Sequence, residues 1–363
     1  MCGIAGFCSD QVIYDQEKEK WETILQNMNQ AQKRRGPDED GWYLSSHCGM
    51  AHVRLSVIDL ETGQQPMTRT RQGHTCTLVM NGEIYNMHEL KKELENLGVE
   101  FETSSDTEVM LLGYLVYGEE VLSRLNGIFA AALWDEEKET LFLFRDRVGV
   151  KPLFYTRTKD SLVYASEIKG LLQYPGIKAR VDEEGLCEIF ALGPAKTYGK
   201  GVFQDVREVL PGHYLTFSHG VLQEHGYWKL ESRRHEDSFE ETVEKTAWLV
   251  EDAVKKQMLS DVPISTFLSG GVDSSLVTAI CARELEKQGA VLDTYSFDFQ
   301  GNQQYFQANS FQPSQDRPWV EKMVKEFHTN HHFLECDNQN LLENLYRAVD
   351  ARDLPCMADV ESS

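Results

Sequence analysis

The sequence predicts two domains of different class, and three observations carry that prediction. Short apolar runs joined by tight turns fill the first ~170 residues, as in antiparallel α+β folds. Strand–helix–strand alternation sets in near residue 238, as in parallel α/β sheets. The length, 363 residues, suits two domains of roughly 150 residues each. The boundaries read as 1–210 for the α+β unit and 238–363 for the α/β unit.

CGIAGF at the N-terminus is a short strand cut by small residues. Trp21, Ile24, Leu25 and Met28 recur at helical spacing within 17–34. RRGPDEDG (34–41) is a turn. Strands follow over 50–57 and 75–80, and the second ends at Asn81-Gly82, a strong tight-turn signal. Segments 87–97 and 106–117 are helices. GIFAAALWD (127–135) and TLFLFRD (140–146) form a hairpin about a short acidic turn, and short strands come at 152–155 and 161–165. EVLPGHYLTF (208–217) is the last strand of this unit or a linker strand. An amphipathic helix over 239–258 then leads to the strand VPISTFL (262–268), a Gly-rich turn, a helix over 274–287 and the strand VLDTYSFDF (291–299). The polar stretch 301–316 is a loop. A helix over 319–327, the strand HHFLE and a helix over 340–349 complete the pattern. Two or three βα units are present, where a stable open sheet usually has about four to six strands. The second domain is therefore expected to be cut.

Composition narrows the functions. Lys plus Arg is 36 and Asp plus Glu is 58, a net charge of −22. That field repels phosphate backbones and acidic membrane surfaces, so nucleic acid and membranes are not expected partners. The eight cysteines are scattered without a C-x-x-C pair, which points to a reducing, cytoplasmic setting rather than a disulfide framework. No apolar run approaches the roughly 18 residues of a membrane span, and the N-terminus lacks the basic n-region of a signal peptide. His328, His331 and His332 cluster near Cys336. A polar loop entering a strand accounts for them more simply than a metal, so no metal ligands are assigned. Cys356 reads as a buried small hydrophobe.

Cys2 directly follows Met1 and precedes Gly3. Removal of Met1 makes Cys2 the first residue, and its free α-amine, with a pKa near 8, is a base beside its own thiol. Taken alone, Cys2 reads more simply as a buried, inert cysteine. Asn81, with its side-chain amide, and Gly82, with its backbone N–H, can converge on one oxyanion, or form a plain hairpin turn. Arg54 is a lone Arg in the apolar run HVRLSVID, suited to a carboxylate or to a surface ion pair. Asp106 in SSDTEV suits a substrate ammonium or a helix N-cap.

MCGIAGF, RRGPDEDG, HVRLSVIDL, NGEIYN and SSDTEV, in that order, resemble the class II glutamine amidotransferases. The likeness continues through RDRVGVKPLFY (145–155) and YASEIKGLL (164–172). It implies an N-terminal-nucleophile αββα sandwich with Cys2 as nucleophile and Asn81 with Gly82 as the oxyanion hole. It further implies a glutamine site made of Arg54, Leu55, Ser56, Val57, Ile58, Asn81, Gly82, Glu83 and Asp106.

A second constellation lies at Leu268, Ser269, Gly270, Gly271, Val272, Asp273, Ser274 and Ser275, after a strand and opening a helix. Glycines admit a phosphate to the backbone, and the helix N-terminus offers free N–H groups. The serines add hydroxyl donors, and Asp273 can act through Mg²⁺. No Walker-type G-x-x-x-x-G-K-[ST] is present. The loop is similar to the SGGxDS loop of ATP pyrophosphatases. Together with TYSFDF and DARDLPCMADVESS, the chain resembles the glutamine-dependent asparagine synthetases. The resemblance implies ATP as substrate with Mg²⁺, Leu268 and Phe299 near adenine, and glutamine and aspartate as further substrates. A homodimer is compatible with it. It also implies an SGE-type acidic motif and a phosphate-contacting Lys further along, and neither occurs in these 363 residues. The expectation is a C-terminally truncated synthetase, with a glutaminase alone as the alternative. A glutamine sensor and a ligase for another carboxylate stay open.

Overall fold

The computed structural model describes residues 1–192, 195–310 and 313–354. They divide into two compact units, one built on Met1–Ser232 and the other on Arg233–Arg352. Most of LPCMADVESS, including Cys356, lies outside the described residues.

The first unit contains twelve strands: β1 (Gly3–Cys8), β2 (Glu39–Leu44), β3 (Cys48–Arg54), β4 (Met67–Arg71), β5 (His74–Ile84), β6 (Gly127–Asp135), β7 (Thr140–Arg145), β8 (Phe154–Arg157), β9 (Leu162–Ala165), β10 (Val206–Glu208), β11 (His213–Ser218) and β12 (Val221–Gly226). They form two antiparallel sheets of six, in the orders β10-β8-β9-β1-β3-β2 and β12-β11-β7-β6-β5-β4. The period-two alternation of each strand gives every sheet two apolar faces. Ile4, Cys8 and Met50 of the first sheet meet Val79, Ala130, Ala132, Leu143 and Leu215 of the second. Ala5, Phe7 and Val163 point the other way, onto Trp21, Leu25 and Met28 of the helix Lys18–Ala31. On the far side of the second sheet, Tyr114 of the helix Asp106–Tyr117 packs on Phe142 and Phe144. The unit is thus an αββα sandwich. Both faces of β1 and β3 are covered, which is why all their residues are buried. Each large side chain so buried contributes about 1.5–3 kcal/mol.

The structure corrects four local expectations. Asn81-Gly82 is no turn: β5 runs straight through it to Ile84, held by pairing of Asn81 with Ala130 and Gly82 with Phe129. Ladder pairing with a central strand overrides the local turn preference. β2 likewise begins inside the expected turn 34–41, because Glu39 already pairs with Arg54. The run 208–217 is two strands in different sheets, β10 on β8 and β11 on β7, separated at Pro211, which has no N–H to give a ladder. The polar stretch 301–316 includes one short helix, Asn302–Tyr305.

The second unit has three parallel strands, β13 (Ser265–Phe267), β14 (Asp293–Phe299) and β15 (Asn330–Cys336), in that order. Its long helices are Phe239–Lys256, Val272–Lys287, Arg317–Phe327 and Asn338–Arg352. The first opens on a capping box between Ser238 and Glu241, which satisfies two otherwise orphan N–H groups. Cys281, Ala282 and Leu292 form its small core. His331 and His332 belong to β15, as the strand reading of HHFLE expects. His331 bonds Thr294 Oγ1 at 2.8 Å and Ser296 Oγ at 2.9 Å, and His332 bonds Asp293 at 3.0 Å. Among the described residues no helix is long and apolar enough to cross a membrane.

Candidate active site

One residue before β1, Cys2 continues the side of Ile4 and Cys8 that faces the second sheet. Across from it, Asn81 lies on the same face of β5 as Val79. The two side chains line one cavity of about 90 Å³ with Arg54, Leu55, Val57, Ile58, Gly82, Glu83 and Asp106. Eight of the nine residues expected to hold glutamine are therefore gathered with the nucleophile. Ser56 is not among the lining residues; its N–H donates to Asp38 Oδ2 at 2.8 Å.

Asn81 is only 1% exposed, yet neither its Oδ1 nor its Nδ2 has a hydrogen-bond partner. A buried, unsatisfied amide costs about 1–3 kcal/mol, so its retention at the cavity wall points to a ligand. The Gly82 N–H converges on the same space, and the register shows why. Tyr85 N–H donates to Asn126 O and Glu136 N–H to Thr75 O, so odd-numbered residues of β5 exchange bonds with β6. The even-numbered N–H groups point to the other edge. That of Met80 meets Gln65 Oε1 at 2.6 Å, and that of Ile84 meets Asp106 Oδ2 at 2.9 Å. Between them, Gly82 N–H is directed to the cavity. Position 82 must be Gly because a Cβ there would collide with Ile128 O and lie 2.5 Å from Phe129 Cα.

The cavity wall is held by polar contacts. Arg54 is 4% exposed. It pairs with Glu39 Oε2 at 2.8 Å and donates to Ile58 O at 3.1 Å and Asp59 O at 2.5 Å. These bonds fold the 55–59 loop back over the site. Arg35, from the turn after the first helix, donates to Cys2 O at 2.8 Å and pairs with Glu167 at 3.1 Å. Leu55 N–H donates to Cys2 Sγ at 3.4 Å, and the thiol is 3.6 Å from Leu55 O. Burial pushes the Cys2 thiol above its usual range, while the Leu55 bond, a neighbouring N-terminal charge and Arg54 pull it back. Ser105, not Asp106, caps the helix Asp106–Tyr117, accepting from Thr107 N–H. Burial raises the Asp106 carboxyl to about 6, against the pull of the Ile84 N–H. Glu83 is likewise raised by burial.

Sequence reasoning missed Gln65, Arg35 and Lys151. Lys151 lines the cavity at 5% exposure. Its signal was a lone cation in the apolar run VGVKPLF; Gln65 left no signal.

In the second unit, Leu268, Ser269, Ser274 and Phe299 line a cavity of about 460 Å³ with Tyr295, Asp298 and Arg317. Gly270, Gly271, Asp273 and Ser275 are not among its lining residues. Gly270 has φ +82°, and a Cβ on it would lie 2.8 Å from Trp319 Cβ. This glycine thus serves the turn and its packing on the helix Arg317–Phe327. Gly271 meets only Ser269 Oγ, at 3.5 Å, and stands open to an approaching group. No side chain caps the helix Val272–Lys287, so its first N–H groups keep their capacity for an anion. Ser274 Oγ accepts from Ser269 N–H at 3.2 Å and contacts Ser269 Oγ at 3.0 Å, which closes the loop on itself.

The glutamine amidotransferase domain model matches residues 1–228, and the asparagine synthase model matches 245–363. The chain belongs to the glutamine-hydrolysing asparagine synthetase family. It is 48% identical to asparagine synthetase 3 of Bacillus subtilis, over 100% of this chain and 59% of that one. It is 35% identical to asparagine synthetase 1 of the same organism, over 83% and 46%. To asparagine synthetase B of Escherichia coli it is 33% identical, over 72% and 42%. The chain therefore spans less than two thirds of the length of these asparagine synthetases.

Proposed function

We propose that the chain serves ATP-dependent asparagine synthesis, with ammonia released from glutamine at Cys2. The observation that carries the first half is the orphaned Asn81 amide facing Cys2 across one cavity. Loss of Met1 frees the Cys2 α-amine, which takes the thiol proton. Sγ attacks the δ-carbonyl carbon of glutamine, and the oxyanion accepts from Asn81 Nδ2–H and Gly82 N–H. The protonated amine gives its proton to the departing nitrogen, ammonia leaves, and water hydrolyses the thioester to glutamate. Asp106, Glu83 and the loop held by Arg54 bind the amino-acid end of glutamine.

For the second half, aspartate and ATP give β-aspartyl-AMP and pyrophosphate, and ammonia displaces AMP. The open helix N-terminus, Ser269 and Ser274 suit the phosphates. Leu268 and Phe299 suit adenine. Exposed Asp273, in the first turn of its helix, is a hard oxygen donor for the Mg²⁺ that accompanies ATP.

The test is aspartate-dependent pyrophosphate release from ATP, with glutamine or ammonium chloride as nitrogen source. Asparagine formed from both sources supports the full reaction. Cys2→Ala must lose the glutamine-driven reaction and keep the ammonia-driven one. Glutamate released without pyrophosphate makes the chain a glutaminase and rejects the synthetase half.

A further inference from the structure

Lys151 is held in place by its own loop. The fully buried Asp146 carboxylate accepts from the N–H groups of Val148, Val150 and Lys151 at 3.0–3.1 Å. Arg145 Nε donates to Lys151 O at 3.1 Å. Its ammonium, by contrast, has a single hydrogen-bond partner among the described residues, the thioether Sδ of Met1 at 3.2 Å. A thioether is a weak acceptor, and a buried ammonium without a better one is expensive. No carboxylate lies within ion-pair distance of it among the described residues. The charged and titratable groups around it are Glu83 from β5, Arg35 from the turn after the first helix, Cys2, and Asp146 on its own loop. The Met1 amine is held below its usual range by burial and by Arg35 and Lys151, opposed by Cys2 and Asp38, and Glu83 also faces it. Loss of Met1 removes the thioether and leaves the Lys151 ammonium in the cavity that Cys2 also lines.

We propose that Lys151 is a positioning residue for glutamine hydrolysis, whose ammonium keeps the Cys2 α-amine uncharged and ready to act as the base. Two like charges in a desolvated cavity disfavour each other. Arg35, bonded to the Cys2 carbonyl, supplies a second cation of the same sense. The inference rests on the reading of Cys2 as nucleophile.

The experiment compares the parent chain with Lys151→Met and Lys151→Arg. All are released from an N-terminal fusion by a protease that leaves Cys2 first, so that Met1 processing is equal. The readout is kcat/KM for glutamate release from glutamine across pH. In Lys151→Met the acid limb moves up by about one pH unit, a roughly tenfold loss on that limb; Lys151→Arg returns it. An acid limb that stays in place in folded Lys151→Met overturns the proposal. So does a pH-independent loss that Arg fails to restore, which is a packing effect. Glutamate release surviving in Cys2→Ala overturns the nucleophile reading instead.

Discussion

Replacing Asn81 by Ala separates a catalytic amide from a structural one. The amide is 1% exposed and makes no hydrogen bond in the fold. Its removal therefore breaks no bond and relieves a desolvated group worth about 1–3 kcal/mol. The lost volume opens onto the cavity rather than into a sealed void, so the penalty usual for a core truncation is small. The expected stability change is between zero and a gain of about 2 kcal/mol. Catalysis moves the other way. Of two oxyanion donors one remains, Gly82 N–H, and loss of a single donor costs about 10²–10³ in kcat. The assay pairs urea denaturation with single-substrate glutaminase kinetics on the same preparation. A variant destabilised by more than about 2 kcal/mol with kcat near that of the parent would refute the reasoning, because Asn81 would then be holding the fold.

Three further outcomes follow from the same geometry. Asp106 has a carboxyl raised to about 6, so KM for glutamine climbs as pH falls through about 6, and Asp106→Asn has a high KM that no longer varies there. Its raised value also means that folding favours the protonated form. The stability it lends is full below its unfolded value of 3.8 and is lost as pH rises to about 6, so in thermal melts the advantage of Asp106→Asn over the parent should be about 3 kcal/mol at pH 7.5, roughly half that at pH 5, and close to zero below about pH 3.5. Gly82→Ala drives a Cβ into Ile128 O and Phe129 Cα and should cost about 1–3 kcal/mol or more; a parent-like melting temperature would contradict the register. Asp273→Ala should abolish ATP–pyrophosphate chemistry while glutamate release continues, and loss of both in a folded variant would contradict two separable sites.

Much of the site was legible because motifs record local chemistry. Cys2, Arg54, Asn81 and Asp106 each stand out as a reactive or polar residue in an apolar setting, and the fold gathers them. What was illegible depended on partners distant in sequence. Asn81-Gly82 has turn chemistry, and only pairing with β6, some fifty residues on, holds it extended. β2 hides in a run of turn residues, because its stability comes from β3. Gln65 contributes a hydrogen bond to Met80 from an ordinary polar loop, and no periodicity marks it. Arg54 shows a mixed case. A substrate carboxylate or a surface ion pair was expected, whereas Arg54 is buried, its carboxylate partner in the fold is Glu39, and its other bonds are to backbone carbonyls of the loop it closes.

The Cys2 cavity is assembled from segments that start at residue 1 and end at residue 151. Its two facing strands, β1 and β5, sit in different sheets. No fragment of the first unit shorter than that can contain it. The sheet that carries Asn81 is closed only when β11 and β12, at 213–226, have joined β7. Contacts of such long sequence separation form late and together. During synthesis Cys2 leaves the ribosome well before the strand that carries Asn81, and the cavity that joins them waits for Lys151. The glutaminase step proposed for Cys2 therefore requires at least the first 151 residues folded together, and shorter nascent chains cannot perform it.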